Sequence, residues 1–513
     1  MADPLATPEK TVAPPIADVA TDALSVRMYK GLLGDCFLLR LASPAGRSHI
    51  LIDCGILQGI AGGGERLGKV AEDVVQTTGG ELDLLVITHE HADHISGFAH
   101  AADAFFGGRL KIHKLWMGWT ENSADPQAQG LRARFDKAKV AVTAAAAMAA
   151  KLALDGQVGA AAVTAGLEAF IGPVDLGAGP AGPPRTGRQI LEALKAAAGG
   201  VAYLEPGEIV TTPGATGLRA YVLGPPRSEA RLFKPLPSAG DNKETYAGGD
   251  GLNQADNLQG AIAVQKGAPD PDIPFPKRYR YPMDHAAGDD PSDVALAWLR
   301  QAYEGGPDWR RIDADWLGGA GALALKLDSN TNNTSLVLAF ETPAGKVLLF
   351  AADAQVGNWL SWYDQTYPPA PAPAPGAAPP SVPGVKAEDI LARTVVYKVG
   401  HHASHNATLD ALGLEKMTDP GLVAFIPVVE EYAHAQGSGW NMPFPPLLKR
   451  LLDRTQGRVL RGDCAAGCNL EGEVLTTDTA FLAGVEDGPG DLFVEYHLPA
   501  QAVGVFQPAR TDG

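Results

Sequence analysis

Three imidazoles and a carboxylate fall within six residues at His89-Glu90-His91-Ala92-Asp93-His94. Imidazole and carboxylate donors together suit borderline-soft divalent ions, zinc first and manganese second. In an extended turn His89 and His91 point to one side and reach one ion, which leaves Asp93 and His94 to turn toward a second ion close by. A second histidine cluster, His401, His402 and His405, follows an apolar run at 395–399. His401 and His402 are neighbours at a strand end, so their side chains diverge. We therefore expect one of them to bind metal and the other to face substrate, and assign His401 as the ligand and His402 as the catalytic partner.

The elements that must position these groups are legible as short apolar runs. Residues 82–88 form a nearly continuous apolar stretch leading into the first cluster, the pattern of a strand buried on both faces. Strand-like runs at 24–29, 36–42 and 49–52 precede it, the last ending in Asp53-Cys54-Gly55. A helix is expected to continue after the cluster over 100–106, with further helices over 131–154, 190–198 and 445–452. Strands are expected at 218–225, 335–340, 346–350, 395–399 and 422–429. Residues 1–23 read as a disordered tail, 24–498 as the catalytic domain, and 499–513 as a second tail. Insertions are expected at about 115–200 and 227–330, and the Pro/Ala-rich stretch 367–384 reads as an extended linker.

Bulk properties narrow the function classes. The formal net charge of −17 disfavours nonspecific attraction to nucleic acid, although a metal site brings its own positive charge. Four cysteines are too few for a disulfide scaffold in 513 residues. Cys36 and Cys54 sit in apolar runs as small hydrophobes; Cys464 and Cys468, at CxxxC spacing, lack a second ligand pair nearby. The N-terminus has no basic start followed by an apolar core, and no apolar run is long enough to span a bilayer. No membrane partner and a cytoplasmic location are expected; the oligomeric state is left open.

The segment Thr88-His-Glu-His-Ala-Asp-His94-Ile-Ser-Gly resembles the signature of the metallo-β-lactamase superfamily. Gly34-Asp35, Asp53 in Leu-Ile-Asp-Cys-Gly, Asp353 in Phe-Ala-Ala-Asp-Ala, and Lys398-Val-Gly-His401-His402-Ala-Ser404 resemble its other motifs, in the order that family requires. The resemblance implies an α/β (α+β) fold, a four-layer αββα sandwich with helical and irregular insertions. It implies Asp353 as a bridge between two metals, and Asp53, Asn333, Ser335 and Ser404 as supporting residues around the ligands. Residues 223–226, 332–338 and 398–405 further resemble the hydrolase domain of bacterial DNA-uptake competence proteins and related soluble phosphodiesterases. The closing motif carries Ala403 where that branch has Gly, and a separate third-motif histidine is missing unless His113 or His285 supplies it.

What the resemblance implies chemically is hydrolysis by water activated between two divalent ions, with Asp93 or a free histidine handling the proton. A phosphoester is the expected substrate. A thioester, lactone or lactam, and a metal-stabilised binding or regulatory module without turnover, are the alternatives, since this fold hosts many activities.

Overall fold

The computed structural model describes residues 23–44, 46–57, 60–154, 186–234, 298, 327, 329–368, 384–435 and 440–506. In chain order the strands are β1 (Leu24–Tyr29), β2 (Phe37–Ser43), β3 (Gly46–Ile52), β4 (Glu81–Val86), β5 (Lys111–Gly118), β6 (Val201–Leu204), β7 (Ile209–Thr211) and β8 (Arg219–Gly224). They continue as β9 (Val337–Glu341), β10 (Val347–Phe350), β11 (Thr394–Lys398), β12 (Val423–Ile426), β13 (Val459–Arg461), β14 (Val485–Asp487) and β15 (Phe493–His497). One sheet runs β14-β15-β1-β2-β3-β4-β5-β6 and the other β13-β12-β11-β10-β9-β8-β7.

Both sheets are mixed, and each has a parallel block. In the first, β3, β4, β5 and β6 pair in parallel. In the second, β10, β11, β12 and β13 do. Parallel strands need both faces covered, and side-chain alternation shows how each face is used. Ile50 and Ile52 on β3, Leu84 and Val86 on β4, Leu338 and Phe340 on β9, and Leu348 and Phe350 on β10 meet in one core between the sheets. Their neighbours Leu51 and Leu85 face a layer with helices α1 (Gly63–Thr78) and α2 (Ala92–His100). Val337, Ala339, Val347 and Leu349 face the opposite layer, under Trp359, Trp362 and Ile390. Each large side chain so buried contributes about 1.5–3 kcal/mol. The result is a four-layer αββα sandwich.

Several boundaries differ from the sequence expectation. The first ligand helix starts at Ala92, inside the histidine cluster, and α3 (Ala102–Phe106) follows it as a separate short helix. β5 runs to Gly118 in the sheet, so the insertion expected from about 115 begins beyond it. Its body is α4 (Pro126–Leu154), lying over the ligand loop, then the helix Gly187–Ala197. The tail expected at 499–513 is not featureless in its described part, because the helix Ala500–Val503 and Phe506 are packed into the core between the sheets. The stretch 367–384 is likewise pinned at its ends: Tyr367 is fully buried and bridges to Val385. The tail 1–22, most of the insertion 227–330 and the linker centre 369–383 lie outside the described residues. Among the described residues no helix is long and apolar enough to cross a membrane.

Candidate metal centre

The site collects at the carboxyl ends of β3, β4, β10 and β11, so both sheets contribute to it. After β4 the chain bends at Glu90, between His89 and His91, and the extended His91 is the N-cap of α2. Asp93 and His94 therefore ride on the first turn of a helix, where a carboxylate is favoured by the helix dipole. This backbone is held from below at very short range. Asp35 N donates to Asp93 O at 2.9 Å and Cys54 N to His94 O at 2.8 Å. Gly55 permits that approach: a Cβ there would stand 2.3 Å from Asp93 O and from His94 N.

The donors form two groups. His89 Nε2 and His91 Nδ1 are 3.0 Å apart, close to the roughly 3.3 Å between two nitrogens on one tetrahedral zinc with bonds of about 2.0–2.1 Å. In the second group, Asp93 Oδ2 lies 3.1 Å from His402 Nε2 and 3.8 Å from His94 Nε2, and Asp353 Oδ2 lies 3.3 Å from His94 Nε2. His94 Nε2 is buried without a hydrogen-bond partner, although its other nitrogen is held by Asp53 Oδ2 at 2.8 Å. A buried imidazole nitrogen with no hydrogen-bond partner and carboxylates around it has the surroundings of a metal-ligand atom, and a carboxylate behind the ring is the usual partner of such a ligand. The residues present thus fit divalent metal.

His402, expected to face substrate, is the one whose Nε2 joins the second group. Its Nδ1 is held by Pro427 O at 2.8 Å, and the residue is 3% exposed. His401, expected as the ligand, approaches Asp353 Oδ2 only to 3.9 Å, with its side chain 18% exposed. The divergence comes from the backbone. Ala352, His401, His402 and Ala403 all have positive φ, as does Asp53. Left-handed conformations cost a non-glycine residue about 1–2 kcal/mol each and cluster where function over-determines geometry. At φ 65° Ala403 occupies a position that would suit glycine.

Charge is concentrated here. Burial drives Asp353 toward neutrality, but His94, Lys398 and His401 outweigh it and hold the carboxyl well below the usual range. Asp93 is likewise depressed: burial opposes, and His94 and His402 prevail. Burial, then His94 and His91, keep His89 well below the ordinary imidazole value and so neutral. His94 is raised well above it, because Asp353, Asp35, Asp93 and Asp53 overcome its burial. A divalent ion held by the second group would compete with a proton for His94 Nε2.

The supporting residues sit behind this layer. Asp53 accepts from Thr88 N at 2.8 Å and Thr88 Oγ1 at 2.5 Å. Ser335 Oγ is 3.4 Å from His89 Nδ1 and accepts from Asp353 N at 3.3 Å. Asn333 Oδ1 accepts from Gln355 N at 3.0 Å, bracing the loop that carries Asp353. Ser404 bonds Asn406 Oδ1 at 3.0 Å, and its amide closes the turn on His401 O. Three participants escaped the sequence reading. Asn358 donates to Asn333 O and Ser335 O at 3.1 and 3.0 Å, and nothing local in the sequence marks it. Asp35, seen only as part of an opening motif, is one of four buried residues, with His94, Asp353 and His402, whose ligand atoms lie within 4.8 Å of one another. Lys398, noted only as motif context, is fully buried beside both aspartates.

The remaining sequence candidates fall away from the centre. His113 is half-exposed on β5, 3.3 Å from Glu81, and His285 lies outside the described residues. His405 is exposed, with its ring 6.0 Å from Phe444. Cys464 Sγ bonds Cys468 O at 2.9 Å, and burial first, then Asp463, pushes its thiol up to about 12, the behaviour of a structural cysteine.

Beside the ligand loop, α4, the helix Gly187–Ala197 and the turn before Ser335 border a shallow, solvent-open recess. Its wall includes Glu90, between the two histidines, with Glu121, Arg132 and Arg188.

Residues 29–187 match the family model described as Metallo-beta-lactamase superfamily, a stretch that runs from the end of β1 through the ligand loop to the helix Gly187–Ala197. A comparison with curated proteins gave no match.

Proposed function

Starting from a chain that carries a metallo-beta-lactamase superfamily domain, we propose that it is a metal-dependent hydrolase of phosphodiesters with two divalent ions, zinc or manganese. The observation that carries the reading is the convergence on Asp353 of ligand groups from both sheets, with His94 Nε2 buried and unpaired among them. His89, His91 and Asp353 would hold one ion, and Asp93, His94 and His402 would join Asp353 in holding the other. Ions in these positions would lower the pKa of water and offset charge on the phosphoryl oxygens.

The chain's own groups do the rest. Asp53 orients His94, and Pro427 O orients His402. His401, on the open side of Asp353, faces substrate and passes a proton toward the leaving group. In the recess, the hydrogen bonds of Arg132 among the described residues run from Nη2 to Glu121 at 3.4 Å, which leaves its other N–H groups for substrate oxygens. The preference for a phosphodiester rests on the likeness of residues 223–226, 332–338 and 398–405 to competence-type hydrolase domains and soluble phosphodiesterases. The first two of these segments also pack together: a Cβ on Gly224 would stand 2.2 Å from Asn358 Oδ1, and Asn358 bonds the 333–335 backbone. With a net charge of −17, a small phosphoester suits the surface better than a long nucleic acid.

The test sets bis(p-nitrophenyl) phosphate against a lactone and a thioester, with manganese and zinc added separately. Phosphodiester turnover is expected, and Asp353→Ala should lower it at least a thousandfold. Turnover of the carbonyl substrates alone would refute the phosphodiester assignment. Metal uptake without turnover of any substrate would point to a binding module instead.

A further inference from the structure

Four buried residues, Asp35, His94, Asp353 and His402, place potential ligand atoms within 4.8 Å of one another, which makes Asp35 look like part of the coordination shell. The ring nitrogens say otherwise. Asp93 and Asp353 approach His94 and His402 at Nε2, the edges that face the ions. Asp35 approaches the same rings at Nδ1, at 3.7 Å for His94 and 4.0 Å for His402. Those Nδ1 atoms already serve Asp53 and Pro427 O. Asp35 therefore lies behind the imidazoles, on the side turned away from any metal.

The gap between Asp35 and Asp353 is filled. The ammonium of Lys398, 1% exposed at the end of β11, pairs with Asp35 Oδ2, donates to Ala352 O at 2.8 Å, and lies 3.3 Å from Asp353 Oδ1. Asp353 is thereby divided: Oδ1 faces the lysine, and Oδ2 faces His94 and His401.

We infer that Lys398 is a positioning residue that acts as a built-in cation, removing Asp35 from the ligand set and presenting a single Asp353 oxygen to the metal centre. The inference rests on the metal-centre reading above. A lysine ammonium cannot coordinate metal, and it screens two buried carboxylates that would otherwise repel each other. Removing Lys398 alone strengthens the pull of the site on cations and frees Asp35. Removing Asp35 alone leaves an unopposed ammonium next to a ligand. Removing both takes out a pair whose charges cancel, a change buried ion pairs tolerate.

The experiment measures zinc and manganese affinity by competition with a chromophoric chelator for the full-length chain, Lys398→Met, Asp35→Asn and the double variant. Lys398→Met should bind metal at least tenfold more tightly, and Asp35→Asn at least tenfold more weakly. The double variant should stay within tenfold of the unsubstituted protein. A loss of tenfold or more in the double variant would make Asp35 a true ligand and overturn the proposal. If the unsubstituted protein takes up no metal, the metal centre itself is wrong, a different failure. A crystal structure of the metal-loaded protein decides the matter without variants: Lys398 should still separate Asp35 from Asp353. An Asp35 oxygen at about 2.0–2.2 Å from an ion would refute it.

Discussion

Asp53→Asn is nearly isosteric, yet the geometry predicts that it damages metal binding more than Asp53→Ala does. Three donors converge on the two oxygens of Asp53: Thr88 N on Oδ1, and Thr88 Oγ1 and His94 Nδ1 on Oδ2. An asparagine fits the left-handed backbone at φ 55°, so the backbone is undisturbed. Its oxygen must accept from Thr88 N, which is fixed, and its NH₂ then replaces Oδ2. The Thr88 hydroxyl can rotate to accept. His94 can adapt only by moving its proton from Nδ1 to Nε2, the nitrogen that would ligate metal. Loss of a partner behind a ligand histidine costs about 10–100-fold in metal affinity, and the forced tautomer puts this variant near a hundredfold, about 2.8 kcal/mol. Alanine leaves the tautomer free, so its affinity loss should be smaller. Its fold should suffer more, by about 2–4 kcal/mol, since it strands buried donors and places alanine in a left-handed conformation. Chelator competition for affinity and thermal melting in EDTA for stability separate the two effects. An asparagine variant binding zinc within threefold of the unsubstituted protein, or an alanine variant binding more weakly than asparagine, would refute the tautomer reasoning.

His402→Ala should release one ion and cut phosphodiester turnover at least a hundredfold, while His401→Ala keeps both ions and loses less; metal analysis of the purified variants checks this. Glu495, fully buried between Arg27, Arg40 and Ser25, has its pKa lowered because the two guanidiniums outweigh burial. Its stabilisation is therefore present above about pH 4.3 and lost as pH falls through the lower folded value. Glu495→Gln should cost about 3–5 kcal/mol at pH 7 and progressively less in acid, as read from denaturant melts. Glu121 is the opposite case: burial, then Glu90, pushes it up to about 7. The folded state is penalised for carrying that charge above pH 7, and the penalty fades toward pH 4.3. Glu121→Gln should be more stable than the unsubstituted protein by about 1–3 kcal/mol at pH 8 and indistinguishable near pH 4.3.

The sequence announced most of this architecture where physics acts locally. The runs now seen as β1, β4, β10 and β11 are buried on both faces, so hydrophobicity alone marks them, and each was found within a few residues. β5, β6, β7, β13, β14 and β15 have no counterpart among the strands expected from sequence. β5 interleaves Lys111, His113 and Lys114 with its apolar residues, and β15 carries Glu495 in its centre, a charge that makes sense only beside Arg27 on a strand more than 460 residues away. The packed helix Ala500–Val503 was read as tail because its contacts are likewise distant in sequence. At the site, the histidine clusters are compact in sequence and visible. Which of His401 and His402 turns inward depends on three successive left-handed residues, and hydropathy carries no sign of φ. Asp35 and Lys398 lie 363 positions apart, so their pairing exists only once both sheets are in place.

The bridge between Tyr367 and Val385 has a consequence for how the chain can be rearranged. Two backbone hydrogen bonds, at 2.8 and 2.9 Å, tie these residues together, and the Tyr367 hydroxyl anchors on Val222 O at 2.8 Å. The two ends of the proline-rich stretch are thus tied to each other and to β8 by bonds among the described residues. Doubling that stretch should cost only about 0.6 kcal/mol in closure entropy. New chain ends placed there, or a foreign domain spliced in, would leave the strands that carry Asp353 and Lys398 joined as they are now.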